Sequence, residues 1–271
     1  MSVSANSVVA NAKIDWPGHF DRAYCISHVT SRDRRKAAAA EFRRVGLFES
    51  GIFRWAITYP DPWERKLLEA YPQIGYTDEP QTRIAFLNLG LASCRLMREA
   101  LVLGCGRVLF MEDDIRFLRD TGELSSALDA IPEGFDIVQF DKFAQWEVAP
   151  DAYAALCRDK SVNDWYFDAT GGSWMGGGCF MATDRGMANM LRAMEEWRPG
   201  PMDGFLQFNG NRHAAAKKNL AVQIMTSDAA CLRYMGQRNT HHLAYAPQGV
   251  RYEDYAVPDG YGYDSLFATL G

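Results

Sequence analysis

The hydrophobic positions of the chain form short apolar runs that alternate with stretches of helical spacing. The runs predict strands at residues 22–27, 52–58, 107–111, 135–140, 178–182 and 221–226. Apolar residues three and four positions apart predict helices at 34–45, 81–103, 122–130 and 184–197. The aromatic stretch between 141 and 173 shows neither period and is predicted to be irregular. Strands that alternate with helices indicate an α/β sheet, parallel at least in its first half.

The same pattern divides the chain into three parts. Residues 1–20 precede the first predicted strand and form an N-terminal extension. Residues 21–240 contain all the predicted strands and helices and form one α/β domain. Residues 241–271 are rich in Tyr, Gly and Asp, and we expect an irregular tail packed on that domain.

Composition and charge narrow the class of protein. The net charge of −5 over 271 residues argues against nucleic-acid binding, which needs a basic excess. The N-terminus does not resemble a signal peptide, and no window approaches the apolar length of a membrane span. The six cysteines are scattered without a Cys-x-x-Cys pair, as in a reduced, cytoplasmic protein.

An acidic triplet follows the third predicted strand. Glu112, Asp113 and Asp114 come directly after the apolar run at 107–111. On a surface helix such a triplet would be an ordinary solvated face. At the carboxyl end of a buried strand, where α/β sheets bind ligands, the crowded charges cost free energy unless a cation neutralises them. Carboxylates together with substrate phosphates are typical ligands of Mg²⁺ or Mn²⁺, so the triplet predicts a metal–phosphate site.

Several short blocks, taken in order over roughly residues 22 to 230, resemble glycosyltransferase family 25, the lipopolysaccharide and collagen-type galactosyltransferases. The block Leu109-Phe110-Met111-Glu112-Asp113-Asp114-Ile115 is similar to the family's Asp-x-Asp-type segment. The other blocks are Tyr24–Ser27 with Asp33–Arg35, Gly90–Ser93, Gly178–Asp184 with Gly186, Pro201–Asp203, and Gln223 through Ser227-Asp228. The chain departs from the family pattern at Ser27, where Asn is usual, and at Cys94, where His is usual.

The resemblance implies a GT-A-type fold, with a mostly parallel mixed sheet flanked by helices, over residues 21–240. It implies a UDP-sugar donor, often UDP-galactose, and transfer with inversion to an acceptor hydroxyl. Glu112 and Asp114 would hold Mn²⁺ or Mg²⁺, and Asp113 would contact the ribose or sugar hydroxyls. The acceptor would be a glycan, a lipid-linked molecule or a protein, in lipopolysaccharide or other surface-glycan synthesis.

Two further donor-binding residues follow from the first block. Arg32, Arg34 and Arg35 come after the first strand, where a charged helix start usually faces solvent. An arginine beside a strand end also suits a nucleotide phosphate or uracil. The family pattern selects Arg34, and it places Ser27 at the donor site.

Inverting transfer needs a base that takes the proton of the acceptor hydroxyl. The resemblance offers Asp203 and Asp228, and Asp203 is preferred because it follows Pro201 near a predicted turn. The structural alternative for both residues is a helix N-cap.

Other features leave alternatives open. Trp174, among glycines at 171–178, can stack on a sugar ring or belong to the core. His241 and His242 can supply a metal ligand or lie in an exposed loop.

Two other functions compete with sugar transfer: a nucleotidyltransferase, and an inactive nucleotide-sugar-binding module. The first normally has a Gly-rich phosphate loop after strand one, and residues 27–31 contain no glycine. Arg212, Lys217 and Lys218 form a small basic stretch that is compatible with peripheral membrane contact at the inner face.

Overall fold

The computed structural model describes residues 13–59, 66, 80–144, 150–172, 174–197, 206, 210–223 and 254–255. The helices are α1 (Trp16–His19), α2 (Arg32–Arg44), α3 (Pro80–Val102), α4 (Thr121–Asp129), α5 (Pro150–Asp159) and α6 (Asp184–Trp197). The strands are β1 (Arg22–His28), β2 (Phe53–Thr58), β3 (Arg107–Glu112), β4 (Ile115–Phe117), β5 (Ile137–Gln139), β6 (Phe143–Ala144), β7 (Tyr166–Asp168), β8 (Trp174–Met175), β9 (Cys179–Thr183), β10 (His213–Ala216) and β11 (Ala221–Gln223).

A seven-stranded sheet forms the centre of the molecule, in the order β2-β1-β3-β9-β5-β10-β7. Strand β1 is parallel to β2 and β3, and β10 is parallel to β5. Strand β9 is antiparallel to both of its neighbours, and β7 is antiparallel to β10. All strands except β9 and β7 therefore point the same way. The prediction of an α/β fold with a mostly parallel mixed sheet is confirmed.

Helices cover both faces of the sheet because strand side chains alternate between the two sides. In β3, the neighbouring residues Met111 and Phe110 therefore pack into two different core clusters. Phe42 of α2 lies in the first cluster. Met97 of α3 and Met190 of α6 lie in the second. The acidic turn that follows β3 is consequently supported from both sides by packed helices.

Most predicted elements are present with ends shifted by a few residues. The apolar runs correspond to β1, β2, β3, β5, β9 and β11, and the helical patterns correspond to α2, α3, α4 and α6. The last predicted strand begins as expected at Ala221, and residues 224–226 lie outside the described part of the chain.

The prediction that the stretch from 141 to 173 is irregular is wrong. It contains α5 and β7, and β7 pairs with β10. Tyr153, Phe167 and Trp174 form a third core cluster on this part of the sheet. A three-residue strand is too short to show a period, and the alanines of β10 have low strand propensity, so neither gives a sequence signal.

Residues assigned to the N-terminal extension and the tail contact the domain. Trp16 and Phe20 are buried in the first core cluster, and the Trp16 indole donates a hydrogen bond to the carbonyl of Val45 at 2.8 Å. The Tyr255 hydroxyl donates to the carbonyl of Asn219 at 2.5 Å. The division of the chain at residues 20 and 240 stays a prediction. In the described part of the chain, no helix has the length and apolar character needed to span a bilayer.

Candidate functional site

The candidate site lies at the edge of the sheet where β1 and β3 end. Parallel pairing sets Ile26 of β1 opposite Glu112 of β3, so the residues that follow them emerge side by side. Ser27 follows Ile26, and Asp113 and Asp114 form the turn between β3 and β4. The fold therefore brings together four residues that the sequence assigned to donor and metal binding.

A guanidinium from α2 lies against the acidic turn. Arg34 Nη2 forms ion pairs with Asp113 Oδ1 and with Asp114 Oδ2, the latter at 3.0 Å. The side chain of Arg34 is 31% exposed, whereas those of Asp113 and Asp114 are 4% and 9% exposed. Arg34 therefore contacts the acids with a side chain that is only partly exposed, and its role in donor binding stays a prediction.

A chain of hydrogen bonds holds this ion pair in place. The Ser27 hydroxyl donates to Asp113 Oδ2 at 2.5 Å. Arg35 donates to Ser27 Oγ at 3.1 Å, to the carbonyl of Val29 at 2.9 Å and to the carbonyl of His28. Arg35 thus fixes the turn after β1, and both oxygens of Asp113 accept bonds from the protein. Sequence reasoning missed the role of Arg35, although it stands beside Arg34 in the same arginine-rich turn.

Burial and charge act in opposite directions on these groups. Burial raises the pKa of Asp113 above its ordinary value. The charge of Arg34 and the hydrogen bond from Ser27 lower this pKa, but they offset only part of the increase. Burial alone would lower the pKa of Arg34, but the carboxylates of Asp114, Asp113 and Glu112 raise it above its ordinary value. Arg34 therefore remains a permanent cation among three acids.

The acidic turn fits a divalent cation by the chemistry of its oxygens. Asp114 Oδ1 is buried and has no hydrogen-bond partner in the part of the chain that the structure describes. A buried carboxylate oxygen without a donor is costly, and a cation is its natural partner. Within the same residues, no three His, Cys, Asp or Glu side chains are arranged to hold a metal ion. The observation that favours a cation here is thus the single buried oxygen of Asp114.

A further buried carboxylate, Asp141, lies near this edge and was missed from the sequence. It follows β5, which is separated from β3 only by β9. The Gly178 carbonyl accepts from Glu112 N at 2.9 Å, and the Cys179 carbonyl accepts from Asp141 N at 3.3 Å. Asp141 is 1% exposed. An acid placed directly after a strand was the available signal, the same signal that identified the triplet.

Lys142 is the neighbouring buried cation. Its Nζ donates to Asn219 Oδ1 at 3.1 Å and lies 5.4 Å from the centre of the Tyr153 ring and 5.6 Å from that of Phe167. Burial lowers its pKa to about 7, although Asp141 acts in the opposite direction. Asp141 and Lys142 thus add an acid and a weakly charged amine close to Gly176 and Gly178.

The structure describes only some of the other residues that the sequence singled out. Asp203, Asp228, His241 and His242 lie outside the described residues. Trp174 is 7% exposed and packs edge-on against Tyr153 and Phe167 within the third core cluster, so it belongs to the core.

No protein-family model matches the chain, and neither does any curated protein. Similar solved structures share 10–13% identity with it. One is a glycosyltransferase involved in glycosylation of the major capsid of PBCV-1, which is 10% identical to this chain. The match covers 82% of this chain and 98% of that chain, with a TM-score of 0.42.

Two further similar structures are a CTP transferase and a mannosyltransferase. The inositol-1-phosphate CTP transferase from T. maritima has 13% identity, covers 86% of this chain and 98% of its own, and gives a TM-score of 0.40. A mannosyltransferase from Pyrobaculum calidifontis, in complex with GDP-Man and Mn²⁺, is 12% identical to this chain. The match covers 88% of this chain and 66% of that one, with a TM-score of 0.41. At these identities and scores, similarity by itself assigns no activity to the chain.

Proposed function

We propose that the protein is a metal-dependent glycosyltransferase that moves a sugar from a UDP-sugar to an acceptor hydroxyl with inversion. The observation that carries this proposal is the buried acidic turn at the carboxyl end of β3, with Arg34 held against it. This position is where α/β sheets bind nucleotide ligands, and its charges suit a cation together with a diphosphate. The motif resemblance supports galactose as the sugar.

Glu112 and Asp114 are the proposed holders of Mn²⁺ or Mg²⁺. When bound, the cation supplies positive charge that stabilises the departing nucleotide diphosphate. The buried Asp114 Oδ1 supports this role, because it lacks a hydrogen-bond donor among the described residues.

Ser27, Arg34 and Asp113 form the proposed donor-binding group. Arg34 presents a planar set of donors that matches phosphate oxygens, and its position in the first turn of α2 is fixed by Asp113. Ser27 connects this group to the end of β1 through its bond to Asp113.

The base must approach the sugar from the face opposite the leaving diphosphate, since inversion brings the acceptor oxygen in from that side. Asp203 is the proposed base and Asp228 the second candidate, both from the motif resemblance. A glycan, a lipid-linked molecule or a protein is the proposed acceptor. A cytoplasmic location at the inner face of the membrane would suit a lipid-linked acceptor.

The test compares the wild-type protein with Asp114→Asn and with Asp33→Asn. We expect UDP release from UDP-galactose to require Mn²⁺ and to be lost in Asp114→Asn, which removes charge with little change in volume. Asp33 is a matched control because its side chain is 82% exposed and pairs only with Lys36 in the described structure. A thermal-shift panel of UDP, GDP and CMP with Mn²⁺ measures donor preference alongside it.

Full Mn²⁺-dependent activity in folded Asp114→Asn protein would show that the Asp114 carboxylate is not a metal ligand. Pyrophosphate release from UTP and a sugar phosphate would identify a nucleotidyltransferase instead. Binding of UDP-sugar with no turnover on any acceptor would identify an inactive binding module.

A further inference from the structure

Arg34 occupies the same carboxylates that a divalent cation needs. Its Nη2 reaches both Asp113 Oδ1 and Asp114 Oδ2, and Glu112 adds to the negative field around it. A metal bound to Asp114 would therefore lie beside a permanent positive charge. Two cations at one carboxylate repel each other, and in a partly buried site that repulsion is weakly screened.

Both carboxylate oxygens of Asp113 already have partners within the protein, and one of these partners is Arg34. Its Oδ2 accepts from Ser27, and its Oδ1 is paired with Arg34. Ser27 is in turn fixed by Arg35, which is anchored on the carbonyls of the turn after β1. The arrangement keeps the Arg34 guanidinium close to Asp114 even if the contact with Asp114 itself is broken.

We propose that Arg34 is a resident counter-ion that a divalent cation has to displace from Asp114, so that metal and nucleotide diphosphate bind cooperatively. This inference rests on the proposed glycosyltransferase function. Without nucleotide, Arg34 competes with the metal, and metal binding is weak. With a diphosphate present, the guanidinium moves from the carboxylate to the phosphate oxygens, which offer it bidentate acceptors. Asp113 is then a positioning residue for Arg34.

The experiment measures Mn²⁺ binding by calorimetry and by Mn²⁺ electron paramagnetic resonance, with and without UDP, on the full chain. The variant Arg34→Gln removes the competing charge, so we expect Mn²⁺ alone to bind at least about tenfold more tightly than to wild type. The ratio of Mn²⁺ affinities with and without UDP should be smaller in Arg34→Gln than in wild type, because only the coupling through the phosphate ligands of the metal remains.

Arg32→Gln is the matched control. It removes the same charge two residues away on α2, where the residue is exposed. We expect its Mn²⁺ affinity and its coupling to UDP to stay within about twofold of wild type, because exposed charges are screened.

Arg34→Lys provides a second variant in case Arg34→Gln fails to fold. It keeps the charge but carries it on a shorter side chain that reaches the acidic turn less closely, so Mn²⁺ alone should bind about threefold more tightly than to wild type.

Equal or weaker Mn²⁺ binding by folded Arg34→Gln, or by Arg34→Lys where only that variant folds, overturns the counter-ion role. The proposed function survives that result if wild type still binds Mn²⁺ with UDP. A chain that binds no Mn²⁺ in any variant, with or without UDP, overturns both proposals together.

Discussion

Gly178 has no room for a side chain at the junction of β3, β9 and the segment after β5. A Cβ there would lie 2.5 Å from the Gln223 side chain and 2.8 Å from Asp141 Oδ2. Both contacts are shorter than van der Waals distance, so the close approach of these polar groups depends on glycine. The consequence is local, because neither neighbour belongs to the pair formed by Arg34 and Asp114.

Gly178→Ala should therefore destabilise the protein, with a decrease in the free energy of unfolding of about 1–3 kcal/mol from overpacking. Urea unfolding followed by circular dichroism measures it. Gly106→Ala is the control, since its Cβ would meet only Asp21 Oδ2 at 3.6 Å and should change stability by less than about 0.5 kcal/mol. Equal stability of the two variants would contradict the packing described for Gly178.

Helix α2, which carries Arg34, is fixed to β4 by polar contacts at its other end. Glu41 is 1% exposed and accepts a hydrogen bond from Phe117 N at 2.7 Å. Arg44 donates to Glu41 at 2.9 Å and to the carbonyl of Leu118 at 2.9 Å. These contacts set the position of the whole helix, and they therefore help to set where Arg34 meets the acidic turn.

Arg44→Met should leave the Glu41 carboxylate buried without its cation. Breaking one side of such a pair costs about 3–5 kcal/mol when fully buried, and we expect the lower end because the Arg44 side chain is 28% exposed. Thermal and urea unfolding measure the loss.

Arg98→Met is the control for that variant. Arg98 joins α3 to α6 through Glu195 at 3.0 Å, but both side chains are more than half exposed. Its removal should cost less than about 1 kcal/mol. A loss for Arg44→Met no greater than for Arg98→Met would show that Glu41 does not depend on its partner.

The stability of the whole molecule should depend on pH through Lys142. Burial lowers the pKa of Lys142 to about 7 in the folded protein, whereas an unfolded lysine has a pKa of about 10.4. Between these values the unfolded chain binds more protons than the folded one, so the free energy of unfolding rises with pH. Below about pH 7 both states are protonated and the cost of the buried charge is fully present.

Lys142→Met removes this dependence while keeping an unbranched side chain. We expect the stability of the variant relative to wild type to fall as pH increases from 7 to 10, by at most about 1.4 kcal/mol for each pH unit. Unfolding curves at several pH values measure the difference. Lys36→Met, at a site 82% exposed, should follow wild type throughout. Parallel curves for wild type and Lys142→Met would show that Lys142 is not buried as a weak base.

The sequence by itself determined the elements with a clear period and the place of the acidic triplet. Burial of one helix stripe or one strand is a local property, so apolar spacing located β1, β3, α3 and α6. Because the triplet follows the apolar run of β3 directly, its position at the carboxyl end of a strand also followed from local pattern. Ser27 and Arg34 were selected by motif resemblance, and the fold places both beside Asp113.

Only the tertiary structure decided which strands are neighbours and which charges meet. The antiparallel strand β9 lies between β3 and β5 and sets Asp141 one strand away from Glu112. Nothing in the spacing of residues shows that order, since it results from packing between elements far apart in the chain. The contact of Arg34 with Asp114 likewise joins two residues that are far apart in the chain. The sequence shows which side chains are charged, but the partner that neutralises each charge depends on the position of a whole helix against the sheet.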